Sequence, residues 1–281
     1  MQSVWRDIAV VLDASPAGES VGRHAVDLAK RHQAHLVGIY GLSLEHYLPE
    51  DFVQGASAIR HVSERRRESE ERKILVAGRR FAELSQDRGI SSEFRVVWRD
   101  GFQNDAVLRA LHCDLIVSTH PRPDDLPASW SAERLLLSTG TPVLLVPSSW
   151  SGQSIGETVM IAWNRSRESR RAVNDAMPFI STAGRVTILV VDGDGNPDYF
   201  GESPGANLFD HLSRHGAKVD IARVSSDGAP IAEAISKQAI EHNADLLVLG
   251  AYSRPRMTEI LFGGTTRSLL ANAPLPLLIS R

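Results

Sequence analysis

The chain of 281 residues reads as one unit written twice, and nothing else in it constrains the fold as tightly. Asp7-Ile8-Ala9-Val10-Val11-Leu12-Asp13-Ala14-Ser15 is matched by Thr158-Val159-Met160-Ile161-Ala162-Trp163-Asn164-Arg165-Ser166. Each is an apolar run that ends in Asp or Asn, with Ser two residues on, and each leads into a helical pattern. His35–Tyr40 is matched by Arg185–Val191, Cys113–Ser118 by Ala244–Gly250, and Thr141–Pro147 by Leu275–Ser280. Four matched segments in the same order argue against chance.

The apolar runs are continuous rather than alternating, as strands covered on both faces require. They alternate with helical patterns, which indicates parallel βαβ units. Five strands fall in each copy. In the first they lie near 6–13, 35–41, 92–98, 114–119 and 143–147; in the second near 157–164, 185–192, 218–225, 245–251 and 276–280. The expectation is an α/β chain of two tandem Rossmann-like domains, residues 1–148 and 156–281. Each is a five-stranded parallel sheet with helices on both faces, and Pro147–Ser154 links them. The first copy is longer between strands two and three. It adds residues 44–54 and a charged helix around Glu64–Leu84, on which Ile74, Ala77, Phe81 and Leu84 share one apolar face. The mixed charges of Glu64–Arg72 read as a solvated helix face with spaced ion pairs.

Charge narrows the function. The net charge is −3, and neither half is basic: 18 Lys and Arg stand against 20 Asp and Glu in residues 1–148, and 13 against 14 in the remainder. The electrostatic footprint of a dedicated nucleic-acid binder is missing. No apolar run approaches the roughly 18 residues of a membrane span, and the first residues lack the order of a signal peptide. Cys113 is the one cysteine, which fits a reducing cytoplasm. Its place at a strand start predicts a buried, inert thiol.

The stretch richest in chemistry follows strand four of the second copy, Gly250-Ala251-Tyr252-Ser253-Arg254-Pro255-Arg256-Met257-Thr258-Glu259-Ile260-Leu261-Phe262-Gly263-Gly264-Thr265-Thr266. In an open parallel sheet, ligands bind at the carboxyl ends of strands near a topological switch point. Gly250 closes such a strand, and Gly263 and Gly264 open a helix that ends near Ala271. Glycine lets backbone N–H groups approach an anion, and a helix N-terminus offers unpaired N–H groups and a favourable dipole. Thr265 and Thr266 add hydroxyl donors. The same glycines also serve as plain turn and helix-entry residues, so this pattern by itself leaves a ligand-free reading open.

This stretch resembles the Gly-x2-Gly-x9-Gly-Ser/Thr motif of the universal stress protein family, and the strand skeleton of both copies resembles tandem members of it. Gly250 fills the first position and Gly263 the third. Ser253 stands in place of the second glycine and Gly264 in place of the Ser or Thr, with Thr265 and Thr266 directly after. The resemblance implies a flavodoxin-like or adenine-nucleotide alpha-hydrolase-like fold, and an adenine nucleotide, ATP with Mg²⁺ bridging its phosphates, in the second copy. It places Asn164 against adenine or ribose, with Ala162 and Trp163 bordering the base, Val190 or Val191 lining it from strand two, and Leu249 from strand four. It further implies a pseudo-dimer of the two copies, a homodimer remaining open, with pairing through the last strands Pro142–Val146 and Pro276–Ser280. Stress-linked regulation rather than turnover follows. The alternatives are a nucleotide-free protein-interaction module and a slow ATP hydrolase, for which no residue presents itself as the base.

The first copy departs from the motif. Its matching loop, Ser118–Ala132, holds no glycine at a motif position, and Pro121, Pro123 and Pro127 remove three N–H donors. No phosphate cradle is expected there, although Asp13 occupies the place of Asn164. Walker and Gly-x-Gly-x-x-Gly patterns are absent. Asp192, Asp194 and Asp198 lack the closing Glu of a calcium loop, and the histidines lack metal-ligand spacing.

Overall fold

The computed structural model describes residues 4–43, 56–99, 112–122, 130–152, 154–193, 203–251 and 264–281. The first repeat contains β1 (Asp7–Leu12), α1 (Pro16–His32), β2 (His35–Ser43), α2 (Ala56–Arg88), β3 (Ser92–Arg99), β4 (Leu115–His120), α3 (Ala132–Thr139) and β5 (Val143–Pro147). The second contains β6 (Thr158–Ala162), α4 (Arg167–Asp175), α5 (Met177–Ile180), β7 (Arg185–Val191), α6 (Ala206–Arg214), β8 (Val219–Val224), α7 (Ile231–Glu241), β9 (Leu246–Gly250), α8 (Gly264–Ala271) and β10 (Leu277–Ser280). All ten predicted strands are present. The inserted segment 44–54 lies outside the described residues.

Two compact units form, one of Trp5–Thr139 and one containing Gly140–Arg281. In the first unit the strand order is β3-β2-β1-β4, all parallel. In the other it is β5-β10-β9-β6-β7-β8. There β10 runs parallel to β9 and antiparallel to β5, with Leu277 opposite Leu145 and Ile279 opposite Val143. The last strands of the two repeats therefore pair directly.

Strand composition explains the core. Ile8, Leu36, Leu115 and Ile116 in the first unit, and Met160, Ile161, Leu247 and Val248 in the second, are buried. Each such side chain contributes about 1.5–3 kcal/mol relative to exposure. The spacing expected of α2 is met, since Ala77 and Phe81 are buried and Ile74 packs beside Tyr40. Its charged stretch carries Arg67–Glu71 and Lys73–Glu70 pairs at 3.0 and 2.9 Å. Cys113 departs from expectation: it precedes β4 and is only half-buried, because the chain is still entering the sheet there.

The amino ends of the sheets share one device. Asp245, just before β9, accepts the backbone N–H groups of Gly156, Glu157 and Thr158, each at 3.0 Å. Asp114, just before β4, accepts those of Arg6 and Asp7 at 2.6 and 3.0 Å. A carboxylate thus ties the entry of strand one to strand four in both repeats. No described helix is long and apolar enough to cross a membrane.

Candidate functional site

The sheet of the second unit reverses direction of growth between β6 and β9: β7 and β8 extend to one side, β10 to the other. A switch point of this kind leaves a crevice at the carboxyl ends of the two strands. The crevice gathers most of the predicted site. Ala162 is paired in register with Leu249 on one side and Leu189 on the other. Trp163 donates its N–H to the Leu189 carbonyl at 2.9 Å. Val191 ends the neighbouring strand β7, and Gly250 ends β9 beside Ser280 of β10. Ala162, Trp163 and Val191 are half-buried, Asn164 is exposed, and Leu249 is buried.

The repeated Asp/Asn-x-Ser signature has a local cause. Asn164 Oδ1 accepts the N–H of Ser166 at 3.2 Å, and Ser166 Oγ caps α4 by accepting the N–H of Ser169 at 3.0 Å. In the first unit Asp13 Oδ1 accepts from Ser15 at 2.5 Å, and Ser15 Oγ caps α1 by accepting from Gly18 at 3.1 Å. Asn and Asp at the end of strand one thus form a turn that aims the next helix.

Gly250 also has a packing role. A Cβ placed there would stand 2.2 Å from the Ser169 nitrogen and 2.3 Å from the Glu168 carbonyl carbon, so the backbone of α4 needs this residue to be glycine. Gly264 is the opposite case: it opens α8, is exposed, and among the described residues a Cβ on it meets nothing within 4 Å. Thr265 and Thr266 follow in the first turn of α8, Thr265 half-buried and Thr266 buried. Ser253 and Gly263 lie outside the described residues, as do Asp194 and Asp198.

Where β7 ends, Asp192 accepts the N–H of Ser226 at 2.7 Å, and this hydrogen bond holds its carboxyl below the usual range. Among the described residues no three His, Cys, Asp or Glu side chains cluster to hold a metal ion.

The first unit has the same switch point, between β1 and β4, finished differently. Asp13 is buried, and α2 reaches the same end, where Arg80 donates to the Ala14 carbonyl at 3.2 Å and lies 3.7 Å from Glu19. Trp130, just before α3, is 2% exposed. Sequence reasoning passed over it, because a tryptophan in a proline-rich loop belongs to no periodic pattern.

Comparison with known proteins agrees with this doubled architecture. The universal stress protein family profile matches twice, over residues 5–147 and 157–281. The chain belongs to the universal stress protein family. A universal stress protein of Thermus aquaticus, from the 3′ region of a QAH/OAS sulfhydrylase, is 26% identical over 135 residues, which is 44% of this chain and 98% of that one. The crystal structure of a universal stress protein from Archaeoglobus fulgidus superposes with a TM-score of 0.67 at 18% identity, covering 98% of both chains. A functionally unknown protein of Pseudomonas aeruginosa PAO1 superposes with a TM-score of 0.60 at 18% identity, covering 99% of this chain and 93% of that one. These structures share the fold across both repeats.

Proposed function

We propose that the second repeat binds an adenine nucleotide, ATP with Mg²⁺ on its phosphates, and that the protein acts in stress regulation in the cytoplasm rather than as a turnover enzyme. One observation carries this reading. The switch-point crevice brings Ala162, Trp163 and Asn164 beside Leu249 and Gly250, and the next described helix, α8, opens on Gly264, where a Cβ would meet nothing within 4 Å among the described residues. The base would lie along Ala162, Trp163, Val191 and Leu249. The phosphates would meet the loop that includes Ser253 and Gly263 and the first turn of α8 with Thr265 and Thr266. The dipole term at such a helix start is about 0.3–1 kcal/mol, so several N–H contacts must add to it. The antiparallel β5–β10 ladder supports a pseudo-dimer built from the two repeats, residues 1–148 and 156–281.

Gly264→Asp tests the reading without disturbing the fold. The new side chain enters open space and adds a favourable charge at a helix start, yet it repels a triphosphate. In wild-type protein, Mg-ATP at about 100 times Kd adds roughly 2.7 kcal/mol. The thermal midpoint should rise by several degrees, since about 2–4 °C per kcal/mol holds for units of this size. Gly264→Asp should keep its own midpoint and lose the ATP response. No ATP, ADP or AMP response in wild type, with no nucleotide released on denaturation, would leave the nucleotide-free interaction module. The first repeat favours that outcome in one respect: it keeps the fold with no motif glycine in its loop. Bound nucleotide without accumulating phosphate disposes of the slow-hydrolase reading.

A further inference from the structure

We infer that Trp130 fills, as part of the chain, the base position of the first repeat, and that a purine nucleoside binds there once the ring is removed. The inference rests on the base position proposed for the second repeat. The register of the repeats carries it. Asp7 pairs with His35 and Thr158 with Arg185, so Gly41 corresponds to Val191 and Asp13 to Asn164. The buried pairs Leu135-Leu136 of α3 and Leu269-Leu270 of α8 correspond in the same way. Counting back from them, Trp130 falls at the position of Gly264.

At that position in the second repeat a Cβ on Gly264 meets nothing within 4 Å among the described residues. In the first repeat, atoms Cη2, Cζ3 and Cε3 of Trp130 lie 2.9–3.1 Å from the place a Gly41 Cβ would take. Successive strand residues point to opposite faces, and Gly38 faces Phe81 of α2. The indole therefore lies on the other face of the sheet, with its six-membered ring against the glycine near the carboxyl end of β2. A strand admits a ring so close only where it has no side chain. Indole and purine are both fused five- and six-membered rings, so the space has the shape of a base.

Asp13 supplies the polar half of the site. It follows Leu12, the register partner of Tyr40, and so neighbours Gly41 across the strands. It is 5% exposed, Oδ1 accepts from Ser15, and Oδ2 is buried with no hydrogen-bond partner among the described residues. A buried carboxylate oxygen of this kind calls for a donor, which a purine amino group or a ribose hydroxyl supplies.

Equilibrium dialysis of the full chain against radiolabelled adenosine tests this, with wild type, Trp130→Gly, and Trp130→Gly combined with Asp13→Ala. Trp130→Gly is expected to bind one adenosine per chain more than wild type, and adding Asp13→Ala to weaken that binding about tenfold or more. Equal binding by wild type and Trp130→Gly overturns the inference and marks Trp130 as an ordinary core residue. Binding by the second repeat is tested separately, by repeating the wild-type dialysis with Mg-ATP: no ATP bound by wild type and one adenosine by Trp130→Gly sinks nucleotide binding in the second repeat and leaves this inference standing. Should Trp130→Gly be unfolded at 25 °C, its circular dichroism is titrated with adenosine and with indole. Recovery of the fold with adenosine supports the inference. Recovery with indole alone, or with neither, overturns it.

Discussion

At the carboxyl end of the first repeat, Trp130 lies buried on Gly41 and Asp13 is shut away from solvent. At the matching end of the second, Gly264 and Asn164 are exposed. The strands beneath are equivalent residue for residue, and the turn that follows strand one uses the same hydrogen bonds in both. The sheet and its helix cap are thus indifferent to whether the crevice is filled. The residue at one place after strand four separates the two, Trp130 in the first repeat and Gly264 in the second.

The largest test of this contrast is Trp130→Ala. Truncating a buried tryptophan costs about 3–5 kcal/mol, and the loss should be confined to the first repeat. Hydrogen exchange in β1 and β2 should accelerate while β6 and β7 stay protected. Equal loss in both would show that the repeats are not separable. Acid should strike the same side. His32 is buried against Trp5, with ring centroids 4.8 Å apart, and burial holds its imidazole down at about 4. The unfolded chain takes up this proton near pH 6.5 and the folded chain does not. Stability is therefore complete above 6.5 and falls as pH drops towards 4, by about 3 kcal/mol. No described histidine of the second repeat is buried. Exchange at pH 4.5 against pH 7.5 should open the first repeat before the second, and His32→Leu should flatten the dependence.

A smaller effect is expected at the amino ends. Asp245→Ala removes the acceptor of three N–H groups and Asp114→Ala that of two. With net values of about 1–3 kcal/mol for part-exposed groups acting together, urea unfolding should register about 2–3 kcal/mol for the first and less for the second. Asp114→Ala costing more would contradict the hydrogen-bond explanation. Least of all, Gly264→Ser should change stability by no more than about 0.5 kcal/mol, since nothing obstructs it, while restoring the family's residue. A larger loss, read from the thermal midpoint, would mean that the crevice is less open than its geometry implies.

The inner strands were legible because each is a mainly apolar run, whereas β3 and β8 carry Glu93 and Arg95, and Asp220 and Arg223, among their apolar residues. The expected strand at 185–192 and the observed Arg185–Val191 differ by one residue. The pairing of the last strands was legible for a related reason, since an apolar edge needs a partner. The packing role of Gly250 was not, because it depends on the backbone of Glu168 and Ser169, far away in sequence, arriving against it. Trp130 was missed on the same ground: its meaning lies in Gly41, across the sheet. Asp114 and Asp245 are different. They stand before strand four in both copies, so the repeat itself contained the signal that the position does structural work.

The β5–β10 ladder has a consequence for what the chain can do in company. β10 is hydrogen-bonded along both sides, to β9 and to β5, so its short, largely apolar length offers no template to a stray strand. The strands β3 and β8 each stand at one margin of their own unit's sheet. They present charge instead: Glu93 and Arg95 on one, Asp220 and Arg223 on the other. The apolar strands β5 and β10 thus find their partners within one polypeptide.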